Sequence, residues 1–250
     1  MKSPNSNQHG RIVTAALLPA ILVAVLVTLG AGSPAKASGN GGNSGVLPPH
    51  AHPYGKSYGE WSASWWQWFM EHPVAGHPGV DSLDFDVSSG QDGNVWFLGS
   101  PFGTVEREVT IPAGKALFIG LLNAEASDTE YGTLTEEDQR ALAEWLVDHV
   151  ASVSCSVDGK PVQNIERHRL QSPQFSFTAP DPWIFSPAPS GPGTAVSDGY
   201  FVMLAPLSAG EHTIQIAGSF YFAAGELGPD PVEFGLDVTY RVTVSPQGSN

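Results

Sequence analysis

The sequence Leu236-Asp237-Val238-Thr239-Tyr240-Arg241-Val242-Thr243-Val244 alternates apolar with polar side chains throughout. A period of two residues is typical of a β-strand that buries one face and leaves the other in water. The same alternation recurs in three shorter segments, at residues 108–111, 174–178 and 213–216. Continuous apolar runs predict central strands that are buried on both faces, and the chain has such runs at residues 95–98, 116–122 and 200–204.

Helical spacing is confined to two segments. Residues 58–70 hold four of the seven tryptophans, and Trp61, Trp65 and Trp68 share one helical face. The second segment runs from about Thr135 to Val150 and begins with three acidic residues, which the helix dipole favours there. Many strands with two helices predict a mainly β protein. We expect an antiparallel β-sandwich, jelly-roll-like, with an N-terminal Trp-rich helix and one further helix. An immunoglobulin-like strand order stays open, because alternation defines faces and not connectivity.

The first 37 residues are typical of a signal peptide. A basic start is followed by an apolar run at residues 12–29, and Ala35-Lys36-Ala37 forms a small-x-small cleavage site. The run is about long enough to span a bilayer, so retention as an anchor is the alternative. Residues 38–57 predict a flexible leader, residues 58–246 a single domain and residues 247–250 a tail. The expected location is secreted or extracytoplasmic.

The chain is strongly acidic, with 11 Lys and Arg against 25 Asp and Glu and a net charge of −14. Such a charge disfavours nucleic acid and anionic membranes as partners. A neutral carbohydrate or a cell-surface polymer remains, and no membrane association is expected after cleavage of the signal. Cys155 is the only cysteine, so no intramolecular disulfide can form. It alternates with serines, which predicts an inert core residue.

The tryptophan segment has two interpretations. Its rings either dock the helix on a sheet or form a platform on which a sugar ring stacks. Trp66 lies off the main stripe, so one helix cannot bury all the rings equally. For the second interpretation, the candidate ligand-binding residues are Trp66, Gln67, Trp68, Asn123 and Glu125.

Acidic residues follow the apolar run that ends at Leu122. Glycoside hydrolysis needs two carboxyl groups with separated pKa values, and carboxylates at the end of a central strand are placed to line a cleft. The candidate catalytic residues are Glu125 and Asp128, together with Glu60 and Asp198, which adjoin aromatic motifs. The alternative is a solvated acidic loop that could hold Ca²⁺. No other cofactor is predicted.

Histidines provide weak candidates for a metal site. His50 and His52 lie on one side of an extended segment, and His72 and His77 follow. Imidazole groups bind Zn²⁺ or Cu²⁺ when a third ligand converges, but a solvated tract is the alternative. The chain lacks a Gly-x-Ser-x-Gly motif, a phosphate-binding glycine loop and a His-Glu-x-x-His motif. These absences disfavour serine esterases, nucleotide-binding proteins and zincins.

Three motifs carry a resemblance that covers most of the predicted domain. They are Tyr58-x-Glu60-Trp61-x-Ala63-x-Trp65-Trp66-Gln67-Trp68, Val95-Trp96-Phe97-Leu98 and Ile111-Pro-Ala-Gly-Lys-Ala-Leu-Phe118. In these motifs and their order the chain resembles a group of exported bacterial proteins that are uncharacterised. The resemblance implies export and no particular activity.

These observations lead to three hypotheses on function. The first is a secreted β-sandwich that binds carbohydrate or serves as a structural module. The second is a glycan-active hydrolase or lyase that uses paired carboxylates. The third is a metal-dependent extracellular protein that uses the histidines.

Overall fold

The computed structural model describes residues 45–80, 86–99, 101 and 103–245. The predicted signal peptide, the first part of the predicted leader and the predicted tail lie outside these residues. Within the described ranges, no helix is both long enough and apolar enough to cross a membrane.

The described chain forms two α-helices and ten strands. The helices are α1 (Tyr58–Met70) and α2 (Glu136–Val147). The strands are β1 (Val95–Leu98), β2 (Gly103–Pro112), β3 (Ala116–Ser127), β4 (Val150–Val157), β5 (Lys160–Pro161), β6 (Arg169–Gln171), β7 (Phe175–Ala179), β8 (Gly191–Leu204), β9 (Gly210–Phe222) and β10 (Val232–Ser245). The prediction of a mainly β chain with two helices is confirmed.

The strands form two sheets that pack as a β-sandwich, as predicted. The first sheet has the order β1-β3-β8-β6, with β7 also paired to β8, and the second has the order β2-β10-β9-β4-β5. Most pairings are antiparallel, but β1 pairs with β3, and β2 with β10, in parallel. The expectation of a purely antiparallel sandwich is corrected at these two places. Alternation within a strand carries no information on the direction of its neighbour.

The space between the sheets is filled mainly by aliphatic side chains. The apolar residues of β10 from Leu236 to Val244 are all buried there, as their alternation predicts. The apolar runs in β3 and β8 lie in the interior of the first sheet and are buried on both faces, which is also as predicted. Cys155 lies in this core, and burial raises the pKa of its thiol to about 12.

The helices occupy different positions on the first sheet. Helix α1 lies on its outer face, where a second, mostly aromatic cluster forms between helix and sheet. Helix α2 packs against β3 and β8 and contributes Leu146 to the core between the sheets. Each helix begins with a capping box, Ser57 with Glu60 at α1 and Thr135 with Asp138 at α2.

The second half of the predicted leader is packed against the domain. The Leu47 amide donates to the Met203 carbonyl (2.8 Å), and the Trp61 indole donates to the Pro53 carbonyl (2.9 Å). The Tyr58 hydroxyl donates to the Leu47 carbonyl. Backbone groups at residues 45–57 thus find partners on β8 and α1, and the flexibility of the leader stays a prediction.

Candidate functional site

Three of the four clustered tryptophans are core residues, and Trp61 is half-buried beside them. Trp65, Trp66 and Trp68 are 3%, 6% and 7% exposed. The Trp65 indole donates to the Leu98 carbonyl (2.9 Å), and the Trp68 indole donates to the Ser89 carbonyl (3.0 Å). The proposed stacking role of Trp66 and Trp68 is not supported, because neither ring presents a face to solvent. The alternative interpretation, that the rings dock α1 on the sheet, describes the structure.

Other polar side chains of α1 have local partners, whereas the buried Trp66 Nε1 has none. Gln67 Nε2 donates to the Ser176 carbonyl on β7 (2.8 Å), so this candidate ligand-binding residue ties helix to strand. Glu60 accepts hydrogen bonds from the Ser57 amide and hydroxyl (both 2.7 Å) at the helix start. The catalytic role expected for Glu60 is replaced by a capping role.

Two of the four candidate metal-binding histidines, His72 and His77, form hydrogen bonds at the C-terminal end of α1. His72 Nδ1–H donates to the Trp68 carbonyl (2.6 Å), and His77 Nε2–H donates to the Phe69 carbonyl (2.8 Å) while its Nδ1 accepts from the Gly79 amide (2.9 Å). These carbonyls at the helix end have no partner within the helix. Burial lowers the pKa of His77 to about 4, so the ring is neutral.

The metal hypothesis is not supported by the described residues. His72 and His77 use their ring nitrogens in hydrogen bonds, and His50 and His52 are exposed. Within the described ranges no group of three or more His, Cys, Asp or Glu side chains could hold a metal ion. A Ca²⁺ site at the acidic residues stays a prediction without support from geometry.

Asp198 belongs to a structural ion pair. Arg169 Nε donates to its carboxylate (2.8 Å), and the same guanidinium contacts Asp148 at the end of α2 (2.7 Å). Burial raises the pKa of Asp198, and Arg169 opposes that rise. The pair holds α2 against the first sheet, which leaves Asp198 poorly placed for the catalytic role expected from the sequence.

Asn123 and Glu125 lie in a strand rather than in a loop. A β-bulge between Gly120 and Asn123 lets β3 continue to Ser127. Asn123 packs against Gly199, where a Cβ would lie only 2.2 Å from that of Asn123 and where φ is +150°. Glycine is therefore required at position 199. Glu125 is 5% exposed and pairs with Ser197 in the ladder, so the strand carries it inward.

Glu125 forms a hydrogen-bonded carboxyl pair with Glu130. Burial raises the pKa of both groups, and the charge of Glu130 raises that of Glu125 further. Ser127 Oγ donates to Glu130 Oε2 (3.2 Å), whereas Glu125 Oε2 is buried with no hydrogen-bond partner. Carboxyl groups in contact are too close to flank a glycosidic bond, which needs about 5 Å or more between them.

A surface groove of about 450 Å³ lies beside this pair. Asp128 forms part of its wall, and its carboxylate accepts hydrogen bonds from the Thr194 amide (2.8 Å) and hydroxyl (3.0 Å). Glu71 accepts from the Thr178 amide (3.0 Å). The groove is lined by Glu71, Asp128, Ser176, Phe177, Thr178, Pro192, Gly193 and Thr194, none of which is basic. Hydrogen bonds to backbone amides thus hold two carboxylates at one groove.

A second cluster resembles a nucleophile with its base. His212 Nε2 lies 3.2 Å from Ser208 Oγ, and Nδ1 lies 2.8 Å from Asp158. However, Nε2 also lies 3.0 Å from the Ser208 carbonyl, which can only accept a hydrogen bond. Burial lowers the pKa of His212, but Asp158 and this carbonyl raise it more, so the net direction is upward. A ring that donates from both nitrogens clamps two loops together and is not a general base.

The sequence indicated only part of the groove. Asp128 was among its candidate residues, but Glu71 lies beyond the tryptophan motif and carries no signal of its own. Thr178, Gly193 and Thr194 belong to strands whose pairing the sequence does not reveal. Glu130 follows the same apolar run as Glu125, and only the turn after Ser127 brings the two carboxyls together.

Comparisons with known proteins identify no family. No protein-family model matches the chain, and no curated protein matches it. The solution structure of amebosin aligns at 13% identity over 55% of this chain and 98% of its own, with a TM-score of 0.13. A score this low carries no argument about fold or function.

Proposed function

We propose that the protein is an extracytoplasmic binding module for a neutral, hydroxyl-rich ligand, and that a carbohydrate occupies the groove between α1 and the β7–β8 edge. The observation that carries this proposal is the pair of fixed carboxylates, Glu71 and Asp128, in one groove without a basic residue.

The chemistry of the groove favours hydroxyl groups over anions. Carboxylate oxygens accept strong hydrogen bonds from hydroxyl donors, and the Ser176 and Thr178 hydroxyls can donate or accept. An anionic ligand would meet two negative charges without compensation, on a chain whose net charge is already −14. The tryptophans are not required for this mode of binding.

The test is an array of neutral oligosaccharides probed with the protein and with a variant whose groove is blocked. Ser176 is an exposed strand residue in the groove, so Ser176→Trp fills the space without changing the core. We expect this variant to lose binding by tenfold or more, a change of about 1.4 kcal/mol. Ser154→Trp, at an exposed serine of β4 in the other sheet, is the matched control. Absence of binding by the unmodified protein, or equal binding by Ser176→Trp, would contradict the proposal.

Hydrolysis in the same groove is the second candidate. It is favoured by one observation, that two carboxylates line a single concave site. An oligosaccharide bound on the array is incubated with the protein, and new reducing ends are measured for the unmodified chain and for Asp128→Asn and Glu71→Gln. Cleavage that both variants abolish supports a hydrolase. Binding without cleavage supports the module.

A further inference from the structure

The pair formed by the buried Glu125 and the half-buried Glu130 is joined to one wall of the groove. Glu130 Oε2 accepts from Ser127 Oγ (3.2 Å), which in turn accepts from the Thr129 hydroxyl (3.1 Å) and the Glu130 amide (3.3 Å). These bonds connect the carboxyl pair to residues 128–131, the turn that follows β3.

The same turn packs directly on the groove floor. Asp128 is bound to Thr194 through its side chain, and its amide donates to the Thr194 carbonyl (3.1 Å). A Cβ at Gly193 would lie 2.6 Å from the Thr129 side chain and 2.9 Å from Asp128 Oδ1. No space separates turn and floor, so a displacement of the turn changes the shape of the groove.

The groups around the pair offer no positive charge. Asp128 adds a negative charge, and Tyr131, whose own pKa is raised by burial and then by the two glutamates, is a neutral phenol. From β8, Ser197 stands opposite Glu125, and its hydroxyl lies 3.4 Å from that of Ser62 on α1. In the described residues, the groups that act on the two carboxyls are these acids and hydroxyls and no basic side chain.

We propose that the Glu125–Glu130 pair is a proton-dependent brace for the groove: while it shares a proton it holds the turn 128–131 on Gly193 and Thr194, and loss of that proton releases the turn. The consequence for ligand binding rests on the proposed function, whereas the consequence for the turn does not. Two contacting carboxylates repel each other strongly in a buried site, and their hydrogen bond requires one proton.

The direction of the pH dependence follows from proton binding. Burial raises the pKa of both carboxyls in the folded chain, so the folded state holds more protons than the unfolded state above about pH 4.3. Stability therefore falls as the pH rises from that value through the folded pKa. The ratio of folded to unfolded protein decreases by up to about tenfold per pH unit for each proton that is released.

The experiment compares the unmodified chain with Glu125→Gln over a pH series. The amide of the variant can donate to Glu130 at every pH, so it imitates the protonated carboxyl. Hydrogen exchange is followed at residues 127–131 and 194 and corrected for the intrinsic rate, together with urea denaturation. We expect exchange at the turn to increase several-fold with rising pH in the unmodified chain and to stay constant in Glu125→Gln.

Two controls separate this effect from general changes in stability. Glu137→Gln replaces an exposed glutamate of α2 and should reproduce the unmodified profile. The Ser186 amide, which donates to the Trp183 carbonyl in another turn, should show no such pH dependence. Equal pH profiles for Glu125→Gln and the unmodified chain would overturn the proposal. If Glu125→Gln fails to fold, Glu130→Gln takes its place. Exchange at the turn that does not change with pH in the unmodified chain would by itself overturn the proposal.

Discussion

The two faces of the first sheet are packed by different chemistry. Toward the second sheet the contacts are mainly between aliphatic side chains such as Ile119, Val202 and Ile216. Toward α1 they are between aromatic rings, and Trp65 stacks on Phe69 with ring centroids 5.0 Å apart. Aliphatic burial has no preferred orientation, whereas most of the buried indole and imidazole N–H groups here donate to particular carbonyls.

The aliphatic face of the first sheet therefore sets no orientation for the side chains that pack on it. The aromatic face fixes the position of α1. The rings under α1 are fixed by hydrogen bonds from Trp65 and Trp68 to carbonyls outside the helix, and by those from His72 and His77 to its last turn. The aromatic residues, whose sequence pattern suggests ligand recognition, pack α1 on the first sheet. The two carboxylates of the groove, Glu71 and Asp128, lie instead beside the paired strands β7 and β8.

The largest expected effect is the removal of a ring from the aromatic layer. Trp65→Ala deletes a 3% exposed indole and its bond to Leu98, and should lower the free energy of unfolding by about 3–5 kcal/mol. Ile216→Val, in the aliphatic core, should lower it by about 0.5–1.5 kcal/mol. Urea denaturation of both variants measures the difference. Similar decreases in the free energy of unfolding for the two variants would contradict the contrast between the aromatic and the aliphatic face.

Acid should weaken the aromatic layer through His77. Its pKa is about 4 in the folded chain against about 6.5 when unfolded, so the unfolded state binds the proton first and stability falls as the pH drops between these values. The full shift corresponds to about 3 kcal/mol. His77→Gln should lose this dependence while His50→Gln, at an exposed position, keeps it. A pH profile that His77→Gln does not change would show that the ring is not buried as a neutral donor.

The capping boxes offer a smaller, matched comparison of the two helices. Ser57→Ala at α1 and Thr135→Ala at α2 each remove a side-chain acceptor for a backbone amide. Each substitution should cost about 1 kcal/mol, measured by thermal unfolding. An effect at α2 alone would mean that the aromatic layer holds α1 in place without its cap.

The smallest expected effect is at the loop clamp formed by His212. Its pKa is raised in the folded chain, so its contribution is present below about pH 6.5 and disappears as the pH rises through the folded value. His212→Gln should lower stability by less than about 1 kcal/mol in mild acid and have no effect in mild alkali. Covalent labelling of Ser208 by a fluorophosphonate would contradict the structural role of this cluster.

The sequence predicted the parts of the fold that depend on local pattern. Alternation in β10 and the continuous apolar runs in β3 and β8 gave the correct faces, because burial determines side-chain chemistry directly. The tryptophan helix begins at Tyr58 and the second helix directly after Thr135, as predicted. The parallel pairing of β1 with β3 was missed, because register and direction depend on contacts between distant segments.

The candidate site was predicted less well, for a related reason. Glu125 was expected in a polar loop, but the bulge before Asn123 extends β3 and turns the carboxyl inward. Trp66 and Trp68 had two interpretations, and only the position of α1 on the sheet separates them. Asp128 does line the groove, but its partner across the groove, Glu71, comes from an element far away in sequence.

The parallel contact between β2 and β10 has a consequence for how the chain matures. In the described residues, β2 pairs within the second sheet only with β10, the last of the described strands along the chain. The edge of β2 that pairs with β10 therefore stays unpaired until β10 has been synthesised. Contacts between segments far apart in sequence form slowly, so we expect this pairing to form late in folding.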